Sequence, residues 1–457
     1  MGRCNRRCGL IAGAVFGAVV AILGGVLIPV GDSIIEGTVK KEAVIEPGTA
    51  AYDNWASAEA VVYRQFWLFD VKNPLEVLNN GTKPVVTERG PYTYRTRYLP
   101  KENITAHSNH TIAFVLPAGA IFEPSLSVGP EEDQVTSLNL AVAVSECHPA
   151  VRLLEGLIRS SNSSLFQRRT IKEILWGYPD PILKRTVGVF VPYNGTYDGY
   201  YNVYTGKDDI SKVGLIDRWQ GERTVDYWNN TYCDMINGTD ASSFPPFLDK
   251  KKPLYFFSSD ICRSVSATFE KSKDLKGIEV YRYVLPTLTL ASPKENPDNQ
   301  CFCTDPVVTK DCALAGVLDV SSCRDGAPIY ISLPHFLHGS AYLIEDVLGL
   351  NPSEEHHATY LDVEPVRTYN LPSLKCNLSS QRGHKVKDYT IFPVVWLNET
   401  AVVDDKTADM FKKELIYPIQ LLHVIQQALL GVGLAIFFLC LIAYCVVRRK
   451  ENNGKLV

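Results

Sequence analysis

Two apolar runs at the ends of the chain, with glycosylation sequons only between them, constrain its topology more than any other feature. Gly9–Val30 and Ala428–Val447 hold no charged side chain over 22 and 20 residues, and a helix needs about 20 apolar residues to cross the hydrocarbon core of a bilayer. Arg3, Arg6 and Arg7 precede the first run, while Arg448, Arg449, Lys450 and Lys455 follow the second, so the positive-inside rule places both tails in the cytoplasm. Asn-x-Ser/Thr sites at Asn80, Asn103, Asn109, Asn162, Asn194, Asn229, Asn237, Asn377 and Asn398 all fall between the runs, on the side where glycans are added. The expected layout is a tail at 1–8, a span at 9–30, a glycosylated extracellular domain at 31–427, a span at 428–447 and a tail at 448–457. The first run is longer than a signal-peptide core and ends in Leu27, Ile28, Pro29 and Val30 without a small-residue cleavage pattern, so it is expected to stay as an anchor. Gly9, Gly13 and Gly17 repeat the small-xxx-small spacing that lets membrane helices approach closely.

The segment between the spans shows no linker, repeat or low-complexity tract, and its prolines are scattered, which predicts one continuous domain. The whole chain carries −4; removing +3 for each tail leaves about −10 outside, an acidic balance that argues against nucleic acid as a partner. One stretch runs against that balance. Between Val151 and Arg185, Arg152, Arg159, Arg168, Arg169, Lys172, Lys184 and Arg185 face Glu155, Glu173 and Asp180, a net +4 that suits an anionic ligand. Ser164 and Gln167 read as a capping box ahead of Ile171, Ile174 and Leu175 at helical spacing, and a second short helix is expected over Val151 to Ile158.

Elsewhere the pattern is that of strands. Tyr92, Tyr94, Thr96 and Tyr98 alternate with Thr93, Arg95, Arg97 and Leu99 after an expected Gly90-Pro91 turn, and β-branched or alternating runs recur at Val61 to Val71, Ile112 to Leu116, Ile278 to Leu285 and Tyr389 to Leu397. An antiparallel β core decorated by short helices follows, rather than a doubly wound parallel sheet.

The twelve cysteines sort by compartment. Cys4, Cys8, Cys440 and Cys445 lie in or beside the cytoplasmic ends of the spans; Cys4, Cys8 and Cys445 are palmitoylation candidates, and Cys440 is assigned to the membrane interior. Cys233, Cys262, Cys301, Cys303, Cys312 and Cys323 lie close together in the oxidising compartment, where 15 pairings are open to them. Cys147 and Cys376 stand apart. Cys301-Phe302-Cys303 lacks the spacing of a structural zinc site, so no metal and no cofactor are expected. No G-x-S-x-G elbow, H-E-x-x-H helix, P-loop or dinucleotide fingerprint appears, and Glu354, Glu355, His356 and His357 read as a solvated turn. No catalytic residue is assigned, and the chain is not expected to be an enzyme.

Longer stretches carry a resemblance. Cys8-Gly-Leu-Ile-Ala-Gly-Ala-Val15, Val62-Tyr-Arg-Gln-Phe-Trp67, Arg89-Gly-Pro-Tyr-Thr-Tyr-Arg95, Ile121-Phe-Glu-Pro-Ser-Leu-Ser-Val-Gly129, Phe256-Phe-Ser-Ser-Asp-Ile-Cys-Arg263, Glu295-Asn-Pro-Asp-Asn299 with Cys301-Phe-Cys303, and Tyr330-Ile-Ser-Leu-Pro-His-Phe336 resemble the class B scavenger receptor family over nearly the whole chain. The resemblance implies a mainly β fold with helices: an antiparallel β-barrel ectodomain with a helical apex and an apolar tunnel, flanked by two transmembrane helices. It implies binding and uptake of long-chain fatty acids, oxidised lipoproteins and anionic phospholipids, binding of thrombospondin-type and matrix proteins, endocytosis, and signalling through cytoplasmic kinases. It also implies disulfides Cys233–Cys301, Cys262–Cys323 and Cys303–Cys312. The family's apical lysines match Ser160 and Asn162 here, so lipid capture is assigned to Arg159, with Arg152, Ser160 and Arg168 beside it.

Two stretches depart from the family pattern: Val144 to Pro192 looks shortened, and Val366 to Lys387 carries Cys376 and Asn377 where a longer strand-forming segment is usual. A missing strand there would threaten barrel closure. The tail Arg448 to Val457 lacks an acidic dileucine sorting signal, which favours the plasma membrane, including ordered domains and endosomes, over a lysosomal receptor that ferries an enzyme. Selective cholesteryl ester uptake is the nearest rival function.

Overall fold

The computed structural model describes residues 6–57, 62–96, 98–145, 164–181, 183–303, 313–365, 370–382, 390–401 and 405–453. The chain divides into two units: residues 1–42, 276–278 and 404–457 form one, and 43–275 with 279–403 form the other.

In the first unit, helices Arg6–Glu42 and Tyr417–Asn453 run 37 residues each. At 1.5 Å per residue each spans about 55 Å, more than the bilayer core requires. Both are long and apolar enough to cross a membrane, the composition of a two-span membrane protein. They pack on each other along glycines. A Cβ at Gly17 would meet the Phe437 amide nitrogen at 2.5 Å, and one at Gly24 would meet that of Leu430 at 2.5 Å. Gly9, by contrast, meets nothing within 4 Å, so the seam follows Gly13, Gly17, Gly24 and Gly31 rather than starting at Gly9. Gln426, buried in this seam, donates from Nε2 to the Leu27 carbonyl at 2.7 Å. Helices in lipid gain little from apolar burial against each other, so close backbone approach and such a polar bond set their register.

The second unit is built on an antiparallel sheet of eleven strands. Val62–Val71 is one of its inner strands, paired on one side with Val86–Thr96 and on the other with Thr390–Ala401. The alternation read from sequence appears only in part as burial: Tyr92, Tyr94 and Thr96 are buried, but so is Thr93, and Tyr98 is half-buried. Gly90-Pro91 is no turn. It lies inside the strand Val86–Thr96, opposite Trp67, where the register shifts. A Cβ at Gly90 would sit 2.6 Å from the Phe66 carbonyl oxygen and from the Trp67 ring, so glycine admits the indole, and proline is tolerated because a bulge frees its position from the ladder.

Residues 370–382 form a thirteen-residue strand that pairs with Tyr360–Val363, Thr390–Ala401 and Ile329–Ser332. The segment that departs from the family pattern therefore does supply a strand. Among the described residues no pairing joins the outer strands Leu254–Ser258 and Ala120–Phe122 into a closed barrel. One core gathers Phe66, Leu68, Phe69, Tyr92, Tyr94, Phe392 and Trp396. A second gathers Phe114, Tyr201, Val203, Trp228 and Phe257 around Cys233 and Cys262, beneath a four-stranded sheet that includes Thr111–Ala118 and Thr196–Tyr204.

The helix expected after Ser164 begins later. Phe166–Thr170 is a strand paired with Gln134–Leu138, and the capping box is Thr170 with Glu173: Thr170 Oγ1 accepts the Glu173 amide at 3.1 Å, and the Glu173 carboxylate accepts the Thr170 amide at 3.0 Å. Ile171, Ile174 and Leu175 then turn inward as the spacing predicts. Thr170→Ala is expected to cost about 1 kcal/mol, read as a lowered melting temperature. For the membrane unit, a Cβ at Gly13 would stand 3.8 Å from that of Cys440, the separation of bridged cysteines. Oxidising a Gly13→Cys variant is expected to link it to Cys440, read by nonreduced peptide mapping, and Cys440→Ser should abolish the link.

Candidate functional site

The expected capture face is only partly displayed. Arg152, Arg159 and Ser160 lie outside the described residues, as does the helix expected over Val151 to Ile158. Arg168 is exposed on the strand Phe166–Thr170. The next cation is engaged: Arg169 lies 3.9 Å over the Tyr178 ring and pairs with Glu173 at 3.2 Å. Lys172 pairs with Glu131 at 2.6 Å. Lys184 and Arg185 are exposed on the turn that follows. The segment thus spends two of its charges on internal contacts, with Arg168, Lys184 and Arg185 turned to solvent.

Cys233 is bonded to Cys301 and Cys262 to Cys323, with Cα atoms 6.1 and 6.5 Å apart. Cys303 is also disulfide-bonded, while Cys312, Cys147 and Cys4 lie outside the described residues and nothing is described of the Cys376 side chain. Cys8 and Cys445 are free and exposed, and Cys440 is free and half-buried. Asn80, Asn103, Asn109, Asn194, Asn229 and Asn237 are exposed. Asn398 is half-buried on the strand Thr390–Ala401, and its Nδ2, the atom a glycan would need, donates to Gln65 at 3.1 Å. Asn162 lies outside the described residues; Asn377 sits on the strand 370–382.

Two polar groups went unassigned in the sequence, one buried and one exposed but met by buried donors. The first is Arg64, directly opposite Glu399 in the ladder; its Nε donates to Glu399 at 2.6 Å and one terminal nitrogen to Asp260 at 3.0 Å. Burial opposes the guanidinium's charge, but Tyr193, Glu399 and Asp260 outweigh it and hold Arg64 well above its usual range.

The second is a carboxylate ringed by imidazole and indole. Glu88, on Val86–Thr96, accepts from Trp396 Nε1 at 3.0 Å and meets His335 Nε2 at 2.6 Å. His335 lies 4.3 Å from His357, rings nearly parallel, and Trp67 stacks on Trp396 at 3.9 Å. The sequence reading of Glu354 to His357 as a solvated turn holds for the exposure of Glu354, Glu355 and His356 and fails for His357: the four form a short helix, and His357 is buried against Trp396 and His335. Burial alone would push the Glu88 carboxyl up; the hydrogen bonds from His335 and Trp396 outweigh it and hold the carboxyl below its usual range.

Glu88, His335 and His357 bring their ligand atoms within 4.8 Å of one another, yet they do not suit a metal. The Asn351 amide donates to His335 Nδ1 at 3.1 Å, and the Ser353 amide donates to His357 Nδ1 at 3.0 Å. Each neutral ring therefore carries its hydrogen on Nε2, the nitrogen that would have to face the ion. A ligating imidazole needs the reverse, a bare nitrogen toward the metal and an N–H on the far side. The arrangement is a set of donors around a carboxylate.

Together these features define a membrane protein with two candidate spans and a disulfide-bonded, β-rich unit between them. The CD36 family model matches residues 15–444. Scavenger receptor class B member 1 of Rattus norvegicus is 34% identical over 449 residues, covering 92% of this chain and 86% of the relative. The protein of that name in Mus musculus is 34% identical over 466 residues, with coverages of 95% and 89%. Lysosome membrane protein 2 of Homo sapiens is 35% identical over 402 residues, with coverages of 83% and 82%. The chain belongs to the CD36 family, the class B scavenger receptors.

Glu88→Leu strips the acceptor from two indole and imidazole donors. At neutral pH it is expected to cost about 1–3 kcal/mol for each donor left buried and unpaired, measured by thermal denaturation. Because the folded carboxyl titrates low, the contribution is complete above the ordinary glutamate range and fades as pH falls through the lowered value.

Proposed function

We propose that this chain is a cell-surface class B scavenger receptor that binds and takes up long-chain fatty acids, oxidised lipoproteins and anionic phospholipids. The observation that carries the reading is the similarity to scavenger receptor class B member 1 over nine-tenths of the chain. The exposed cations Arg168, Lys184 and Arg185 support an anionic ligand, with Arg159 and Arg152 as the first contacts because a guanidinium binds a carboxylate or phosphate through two parallel hydrogen bonds. In this reading both tails are cytoplasmic, the glycosylated domain is extracellular, Cys4, Cys8 and Cys445 carry palmitate, and the sheet closes into a barrel around an apolar passage. Burying an acyl chain gains roughly 0.8 kcal/mol per methylene, so transfer through such a passage needs no chemical step. Thrombospondin-type proteins and cytoplasmic kinases are the proposed protein partners.

A second reading, a lysosomal membrane receptor, rests on the comparable identity to lysosome membrane protein 2. In transfected cells, uptake of free fatty acid should exceed that of lipoprotein cholesteryl ester, with epitope tags at both ends hidden until permeabilisation. The paired substitution Arg152→Glu and Arg159→Glu is expected to weaken capture of oxidised lipoprotein severalfold at physiological salt, and less at high salt where the charges are screened. Undiminished capture by a variant present at the surface would remove those arginines from the site.

A further inference from the structure

His335 and His357 each hold, through Nδ1, a backbone amide of the turn that leads into the helix Glu354–His357. Both rings are buried, at 4% and 7% exposure, while Asn351 is exposed and Ser353 half-buried, so each bond ties a surface turn to an interior ring. An Nδ1 that takes up a proton becomes a donor and stands face to face with the Asn351 or Ser353 N–H. The amide bond then cannot persist. On the opposite side of His335, Nε2–H donates to the Glu88 carboxylate at 2.6 Å, so one ring joins a residue on Val86–Thr96 to a residue on the 351–357 segment.

From this geometry we infer that the 351–357 segment is an acid-released latch: protonation of His335 and His357 exchanges their Nδ1 bonds to Asn351 and Ser353 for a charged contact with Glu88, and frees the segment from the Trp67–Trp396 face. The charged and titratable groups around the rings agree with this. The strand Val62–Val71 presents Phe69 to His335, and Thr390–Ala401 presents Trp396, so neither competes for the proton. Val86–Thr96 presents Glu88. The segment itself brings His356, its ring 6.4 Å from that of His357, and Glu354, which pairs with His338 at 2.9 Å. Protonating His338 would tighten that last pair, an opposing effect, but Glu354 is largely exposed and such a pair contributes little. The backbone at His335 is left-handed, φ 55°, a conformation that histidine and asparagine tolerate better than most residues. The inference goes beyond the receptor reading and does not depend on which lipid is carried.

The test is hydrogen exchange of the full-length protein in lipid nanodiscs, with labelling times scaled for the intrinsic pH dependence of exchange, over peptides containing Asn351 and Ser353. Protection of this segment is expected to fall at least tenfold between pH 7.4 and pH 5.0 while the strand Val62–Val71 stays protected. Asparagine places Oδ1 near where histidine has Nδ1 and does not titrate, so the double variant His335→Asn with His357→Asn should keep the segment protected at pH 5.0. Glu88→Gln removes the charge that favours the imidazolium and should move the midpoint to lower pH by about one unit or more. Undiminished protection of the parent at pH 5.0, or equal acid opening in the double variant, overturns the latch. If the double variant is unprotected already at pH 7.4, Glu88→Gln decides: a midpoint that does not move overturns the proposal as well. Lipid uptake at neutral pH is unaffected by these outcomes, so failure here is distinct from failure of the receptor reading.

Discussion

The β-rich unit depends on a ladder that joins its beginning to its end. Val62–Val71 pairs with Thr390–Ala401, and the bond from Arg64 to Glu399 closes 335 residues of sequence. Loop-closure entropy grows only logarithmically with length, so the cost of that long return is modest beside what the ladder then assembles: Phe66, Leu68, Phe69, Phe392, Val394 and Trp396 enter one core from its two strands. Arg64 at this position is expensive to bury, and the expense is offset only because Glu399 and Asp260 both reach it. Removing one partner of such a pair typically costs 3–5 kcal/mol, whereas replacing the whole set by apolar groups often costs nothing. The ion pair therefore discriminates between registers more than it adds stability: a slip of one residue would send Arg64 to the other face and leave Glu399 buried alone.

The same ladder positions the polar cluster. Trp67 and Trp396 are direct partners across it, and their stacking fixes the indole whose N–H reaches Glu88. Glu88 comes from the strand on the other side of Val62–Val71, His335 from the short helix after Ile329–Ser332, and His357 from the segment before Tyr360–Val363. Four separated stretches meet at one carboxylate. A charge so placed persists because each donor aimed at it is itself anchored, the His335 ring by the Asn351 amide and the indole by its stack.

How much of this was legible in sequence follows from the range of the interactions involved. The strands announced themselves through side-chain alternation, a local property, and Val61 to Val71, Ile112 to Leu116 and Tyr389 to Leu397 each fall within or next to a strand. The helix Ile171–Trp176 was legible for the same reason, but its cap was misplaced. Ser164-x-x-Gln167 and Thr170-x-x-Glu173 both satisfy the capping pattern, and what separates them is that Gln134–Leu138 claims 166–170 as a strand partner, a contact some thirty residues away that no local spacing reveals. His357 was misread because everything that buries it is distant: Glu-Glu-His-His beside Asn351-Pro352-Ser353 is polar by composition, and only the arrival of His335 and Trp396 makes it interior. Likewise Arg169 and Lys172 read as a free basic face until Tyr178, Glu173 and Glu131 were seen to hold them.

Family membership fixes less about function than the identity figures suggest. Scavenger receptor class B member 1 and lysosome membrane protein 2 stand at nearly the same identity to this chain, although their names place them in different settings. In this chain the ladder, the glycine at its bulge and the paired terminal helices answer to folding. Other residues face solvent or the neighbouring membrane helix: Arg168, Lys184 and Arg185 on the exposed edge, and the glycine seam in which Gln426 finds the Leu27 carbonyl. That last bond is worth more to orientation than to strength, since a glutamine in an apolar helix pair must satisfy itself against one particular turn of its neighbour. A sliding of the two helices by one turn would leave the amide without its acceptor and bring side chains onto Gly17 and Gly433 where no Cβ fits. The membrane unit is thus held to one register by sterics and by the Gln426 contact acting on the same seam, the counterpart, in an apolar setting, of what Arg64 and Glu399 do within the sheet.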